Sequence, residues 1–263
     1  MSYSPKSMWI LNITPDSFFD WGEYLNLENA KKQINKMVEE WVEIIDVWAF
    51  SSRPGAKIPS IEEELKRLLP ILDYLDTLNI DFSVDTCRSE IVEKLIKYKN
   101  LRYINDISWL SDEKILDIIS GTDIWYVLMH IKWTPENMQN NTKYDDIISE
   151  INSFFEEKIK IIWLKWIKNI ILDPWFWFWK SLEDNYVILK NLEKFKSFGY
   201  PILAWLSRKS MIYKLLETTP DKVLSETLAL NLQALQNWAD IIRVHDIKEH
   251  KNIIKISQII NKV

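Results

Sequence analysis

Eight short apolar runs of this chain each end in a side chain able to bind or react. The ends carry Asn12, Asp46, Asp85, Asn105, His130, Asp173, the trio Ser207, Arg208 and Lys209, and Arg243 with His245. A polar residue at a strand end is ordinary, because the chain there emerges into a loop. That explains two or three such ends, but less easily eight of them loaded with Asp, Asn, His, Lys and Arg. Arg243 and His245 alternate in "IIRVHD", so on a strand both side chains point to one side. Carboxylates and amides set against separate cationic groups match a ligand with a donor-rich ring and an anionic tail.

The elements that must carry these residues follow from the pattern around them. Strands are expected over 7–14, 43–49, 81–86, 103–108, 125–130, 169–174, 201–207 and 240–246. Between them lie amphipathic stretches such as "LENAKKQINKMVEEW", "IEEELKRLLPILDYLDTL" and "LSETLALNLQALQN". Strands apolar on both faces and separated by helices imply a parallel α/β sheet. Eight such units fit a (β/α)8 TIM barrel better than an open sheet, and no linker or repeat interrupts residues 1–263. One domain is expected, with the polar strand ends converging on a single face.

Composition narrows the function classes. The chain has 263 residues, 47% of them hydrophobic and 27% charged, with a net charge of -5. An acidic balance without basic clustering gives no reason to bind nucleic acid or an anionic membrane. One cysteine, Cys87, excludes an internal disulfide framework and fits a reducing compartment. "MSYSPKSMWILNITP" lacks the apolar core of a signal peptide, so a cytoplasmic location is expected. The oddity is glycine: the chain has 4, with 14 tryptophans. Average usage predicts about 18 glycines in this length, the total of the two. Tryptophans even fill the turn-like "DPWFWFWKS", where a backbone wants the freedom of glycine.

The motifs in order resemble those of the dihydropteroate synthase family. "MWILNITPDSFFDWG" is similar to its opening signature and "IIDVWAFSSRPGA" to its second loop. "FSVDT", "INDIS", "VLMHIKWTPENMQ", "IILDPWFWFWKS", "LSRKSMI" and "ADIIRVHDIKE" then follow. The resemblance implies condensation of 6-hydroxymethyl-7,8-dihydropterin pyrophosphate with 4-aminobenzoate, giving 7,8-dihydropteroate and pyrophosphate. It assigns Asp173, Asp85, Asn105 and Lys209 to the pterin ring, with Met129 and Phe178 packed around it. Asn12, Arg243 and His245 would hold the pyrophosphate, and Asn12 would share Mg2+ with it. Asp16, Phe18, Ser52, Arg53 and Pro54 would contact substrate from two closing loops, with Ser207 near the aminobenzoate. His130 would stand behind the substrate contacts, and His250 reads as an ordinary surface residue. The family is usually dimeric, which implies a homodimer.

Two departures qualify the match. Phe50 stands where the family's second loop carries Glu, and Ser52 where it carries Thr. Trp9, Trp21, Trp41, Trp48, Trp109, Trp133, Trp175, Trp177, Trp179, Trp205 and Trp238 stand where the family pattern usually carries glycine. Some bacterial lineages read UGA as glycine, so a table rendering UGA as tryptophan would write the sequence in this form. The alternatives are a pterin-binding paralogue without synthase activity and the folate-binding domain of a methyltransferase.

Overall fold

The computed structural model describes residues 4–13, 23–49, 59–131, 144–176 and 180–262, with side chains of the first helix described from Leu27 onward. The strands are β1 (Lys6–Asn12), β2 (Ile44–Trp48), β3 (Phe82–Asp85), β4 (Leu101–Asp106), β5 (Trp125–Met129), β6 (Ile170–Asp173), β7 (Leu203–Ala204) and β8 (Ile241–Val244). They form one sheet in the order β6-β5-β4-β3-β2-β1-β8-β7, and every pairing is parallel. A parallel bridge between Leu172 and Ile202 brings β6 to β7, so the ends of the sheet meet. Helices follow the strands, among them α1 (Glu23–Glu39), α2 (Ile61–Thr77) and α3 (Ser89–Leu95). This is the expected (β/α)8 barrel.

Two apolar layers follow from the two-residue period of the strands. One set packs outward between sheet and helices, including Leu11, Ile45, Val47, Phe82, Val84, Ile104, Leu128 and Leu172. The alternate set fills the lumen: Met8, Ile10, Ile44, Trp48, Tyr103, Val127, Ile171, Leu203, Trp205 and Ile241. The strands are therefore apolar on both faces, as buried parallel strands require. Helix ends are fixed locally. Ser60 and Glu63 form a reciprocal capping box at the start of α2, and Asp146 caps the helix Ile147–Leu164, each cap being worth about 1 kcal/mol. Among the described residues no helix is long and apolar enough to cross a membrane.

Candidate active site

The alternation that places Met8, Ile44 and Ile241 in the lumen continues to the strand ends. Asn12, Asp46, Asp85, Asn105, Met129, Asp173, Arg243 and His245 each lie an even number of residues from a lumen-facing residue or pair in register with one. Asn12 pairs with Trp48, Trp48 with Asp85, and Asp85 with Asn105. Met129 pairs with Asp173. Four adjacent strands thus carry Asn12, Trp48, Asp85 and Asn105 at one level. Of the sequence-derived strand ends, Asn12, Asp46, Asp85, Asn105, Asp173, Arg243 and His245 converge on one mouth, as barrel closure does to residues far apart in the chain, whereas His130 packs against Phe154 and Arg208 pairs with Asp246.

The centre of this mouth is a buried ion cluster. Arg243 donates to Asp85 Oδ2 at 3.1 Å and forms an ion pair with Asp46. All three side chains are enclosed. Two carboxylates thus share one guanidinium away from water, an arrangement in which the low dielectric disfavours charging both acids at once. Burial pushes the Asp85 carboxyl well above the ordinary range; Arg243 opposes the rise, while Asp46 and Asp106 add to it. Asp85 Oδ1, Asn105 Oδ1 and Arg243 Nε are buried without a hydrogen-bond partner among the described residues. Enclosed polar atoms are nearly always paired, so unpaired ones gathered at a barrel mouth mark a place built for a ligand.

Asp173 ends β6 and is fixed by its own turn. Its Oδ1 accepts from the Trp175 amide at 2.8 Å, while its carbonyl accepts from the His130 amide at 2.8 Å. Burial raises its pKa to about 6 against the opposing pull of the Trp175 amide, Lys209, Arg243 and Lys180. Lys209 is buried with its Nζ 3.1 Å from the ring centroid of Trp205, and burial drives its pKa well down. Ser207 Oγ lies 2.9 Å from His245 Nδ1. The His245 pKa falls to about 4, through burial first and then Arg208, so the ring is neutral at pH 7. His130 stacks edge-on to Phe154 at 5.0 Å.

Sequence reasoning missed some of this. Lys180 is buried and donates to the carbonyls of Pro174 and Trp175 at 3.0 and 2.6 Å, clasping the turn that aims Asp173. Burial lowers its pKa to about 7. A lysine whose acceptors are backbone carbonyls has no sequence signature; only its place seven residues after Asp173 hinted at it. Asp46 stood among the polar strand ends, but its pairing with Arg243 needs strands from opposite ends of the chain. His250 corrects an expectation: it is fully buried, facing Asn231 at 2.9 Å and bonding the Asp246 carbonyl. Its helix (Ile247–Ile260) turns this side chain toward the neighbouring helix Leu224–Gln236. Asp16, Phe18, Phe50, Ser52, Arg53, Pro54 and Phe178 lie outside the described residues.

Tryptophans crowd the same mouth. Trp48 and Trp205 meet edge-on at 5.6 Å, and Trp175 lies 6.4 Å from Trp205. The Arg243 guanidinium is 4.2 Å from the Trp205 ring. These rings occupy the space bordered by Asp173, Lys209 and Arg243.

Comparison with known proteins agrees with this geometry. The family model described as "Pterin binding enzyme" matches residues 8–245. Dihydropteroate synthase of Escherichia coli strain K12 is 40% identical over 255 residues, which cover 96% of this chain and 90% of that protein. The Bacillus subtilis enzyme is 35% identical over 263 residues, 97% of this chain and 89% of the relative. Among solved structures, Yersinia pestis dihydropteroate synthase in a sulfonamide drug complex superposes with a TM-score of 0.91 at 35% identity. That match covers 99% of this chain and 95% of the other. The Xanthomonas albilineans enzyme with 4-aminobenzoic acid gives 0.89 at 32% identity, over 98% and 94%. The chain belongs to the pterin binding enzyme family and, within it, to the dihydropteroate synthases.

Proposed function

We propose that the barrel mouth joins 6-hydroxymethyl-7,8-dihydropterin pyrophosphate to 4-aminobenzoate, forming 7,8-dihydropteroate and releasing pyrophosphate in the cytoplasm. The observation that carries this reading is the set of enclosed, lumen-facing polar groups Asp85, Asn105, Asp173, Lys209 and Arg243. The 2-amino-4-oxo edge of a pterin offers donors beside an acceptor. Asp173 accepts from its amino and ring N–H groups, Asp85 and Asn105 provide further acceptors, and Lys209 donates to ring acceptors. Met129 packs against the ring. Asn12, Arg243 and neutral His245 meet the pyrophosphate, and Ser207 lies toward the aminobenzoate. Asp16, Phe18, Ser52, Arg53, Pro54 and Phe178 complete the contacts.

The chemistry is substitution at the exocyclic methylene. Its C–O bond to pyrophosphate breaks, with the electron pair leaving on the phosphate oxygen. The pterin supports the developing cation, and the arylamine nitrogen forms the new C–N bond and then sheds a proton to water. An aniline nitrogen is already unprotonated near neutral pH, so no strong base is needed. Rate comes from positioning and from stabilising the departing charge. Mg2+ fits as a companion of the substrate. Asn12 offers one hard oxygen at the mouth, and Mg2+ commonly rests on one or two protein oxygens plus substrate phosphates; when bound it would neutralise the leaving pyrophosphate. Among the described residues no cluster of three His, Cys, Asp or Glu exists to hold a metal alone. The active unit is a homodimer, which sedimentation velocity checks.

The tryptophans are part of the reading: the natural protein carries glycine at most or all of these positions. Support comes from the backbone. Trp41, Trp109, Trp166, Trp175 and Trp238 have φ of 61°, 51°, 63°, 49° and 70°. This left-handed region costs an L-residue about 1–2 kcal/mol and costs glycine nothing comparable. The described glycines, Gly121 and Gly199, share it with φ of 76° and 77°. Trp41 and Trp166 are 77% and 84% exposed, so no burial gain offsets the strain. UGA codons at these sites, or an intact mass lighter than the written chain, are the expected findings. UGG codons would refute the reading.

The functional test is product formation by the protein bearing glycine at the 14 tryptophan positions. Dihydropteroate and pyrophosphate are expected in equal amounts. Binding of the pterin pyrophosphate without product would favour a non-catalytic paralogue, and neither binding nor product would overturn the assignment.

A further inference from the structure

The segment between β7 and the short helix Ser210–Tyr213 sends three consecutive side chains to three destinations. Ser207 faces His245, with Oγ 2.9 Å from Nδ1 and accepting from the His245 amide at 3.3 Å. Lys209 turns into the buried mouth over Trp205. Between them, Arg208 points the other way. Its Nε and one terminal nitrogen meet the two oxygens of Asp246 at 3.2 and 2.8 Å. Such a divergence needs a sharp turn, and Arg208 supplies it with φ of 56°. A left-handed arginine is strained, so the surroundings must hold it. The Arg208 amide donates to Thr227 Oγ1 at 3.3 Å, and the planar two-point pair with Asp246 fixes the side chain.

Asp246 directly follows His245 on the chain, and Arg208 lies between Ser207 and Lys209. One bidentate contact therefore ties together the two segments that supply one end of the site. Without it, a buried ammonium at Lys209 has every reason to swing toward water, since its desolvation is the largest cost it bears. We propose that Arg208 and Asp246 form a positioning clamp that fixes one end of the mouth by holding Lys209 and His245 in place. The inference deepens the functional reading above and rests on it for its kinetic consequences. It adds that pyrophosphate recognition depends on a pair outside the set of substrate contacts.

The charges around His245 give the clamp a signature that packing alone would not produce. Arg208, Arg243 and Lys209 hold the imidazole pKa down, while Asp246 holds it up; Ser207 bonds the ring. The two halves of the clamp thus act on His245 with opposite signs.

The test compares Arg208→Gly, Arg208→Lys and Asp246→Asn in the whole chain. Glycine at the left-handed position relieves strain while deleting the guanidinium, so this variant stays folded, with its unfolding midpoint kept. Lysine keeps the charge but loses the two-point geometry. Arg208→Gly and Arg208→Lys are each expected to lower kcat/KM for the pterin pyrophosphate about tenfold or more. Affinity for inorganic pyrophosphate should fall in parallel. By NMR the His245 ring titrates higher in Arg208→Gly and lower in Asp246→Asn. Unchanged pyrophosphate affinity together with an unmoved His245 titration would overturn the clamp. A parent chain that forms no dihydropteroate would instead defeat the functional reading, leaving the His245 titration and pyrophosphate binding as independent tests of the clamp.

Discussion

Asp106, the last residue of β4, and Asp85, the last residue of β3, are both fully enclosed carboxylates, yet they are built in opposite ways. Asp106 points outward and is saturated. It accepts from the Ser108 amide at 2.7 Å, Ser108 Oγ at 2.6 Å and the Leu110 amide at 3.1 Å, and it bonds the Tyr126 hydroxyl. Asp85 shares one oxygen with Arg243, and its other oxygen has no partner among the described residues. Burial raises the pKa of both, so the shift alone does not separate them. What separates them is whether the protein itself answers the carboxylate. Asp106 is completed by its own turn, whereas Asp85 keeps one oxygen that no described residue answers, which fits the substrate contact proposed for it.

That contrast can be broken from either side. The largest effect falls on Asp106→Ala, which strands the Tyr126 hydroxyl and two amides in the core. Equilibrium unfolding in urea should show a loss of about 3–5 kcal/mol, with activity per folded molecule retained. Next is the pH response of Asp173. Its pKa rises from 3.8 unfolded to about 6 folded, so the native state binds the extra proton between these values. Stability from this group therefore increases as pH falls from 6 toward 4, by ~3 kcal/mol at most. If Asp173 accepts from the pterin in its ionised form, as proposed, activity falls over the same range. Asp173→Asn should remove this pH dependence from the denaturation midpoint and abolish most activity. Asp85→Asn comes third. It should cost roughly 1.5–3 kcal/mol of transition-state stabilisation, or about 10- to 150-fold in kcat/KM, with the unfolding midpoint unchanged or raised. Smallest is Ser207→Ala, which removes a hydroxyl from His245 and should cost about 1 kcal/mol, a roughly fivefold change in the same assay.

The sequence carried the barrel because its strands are apolar on both faces and its helices are not. Strand ends were legible for the same reason: each is the point where an apolar run stops at a charged or amide side chain. Even the contrast between Asn105 and Asp106 was implicit, since adjacent strand residues face opposite ways. Contacts closed by topology were not legible. Arg243 meets Asp46 and Asp85 only because β8 returns beside β1. Lys180 bonds carbonyls that leave no trace in a sequence, and Glu64 looks like any acidic residue of a first helical turn. It is nevertheless fully buried, accepting from Thr86 Oγ1 and Arg88 at 2.9 Å each. His250 misled because a polar residue on a late amphipathic helix is usually exposed; Asn231 across the interface answers it instead.

Calorimetric titration of the pterin pyrophosphate into the glycine-bearing chain and into its Asp85→Asn variant tests the central claim most directly. If the unanswered carboxylate at the lumen is part of the substrate site, the parent binds and the variant binds at least tenfold more weakly, with unfolding midpoints that match. Equal affinities in two equally stable proteins would contradict it, and would return Asp85 to the structural class that Asp106 occupies.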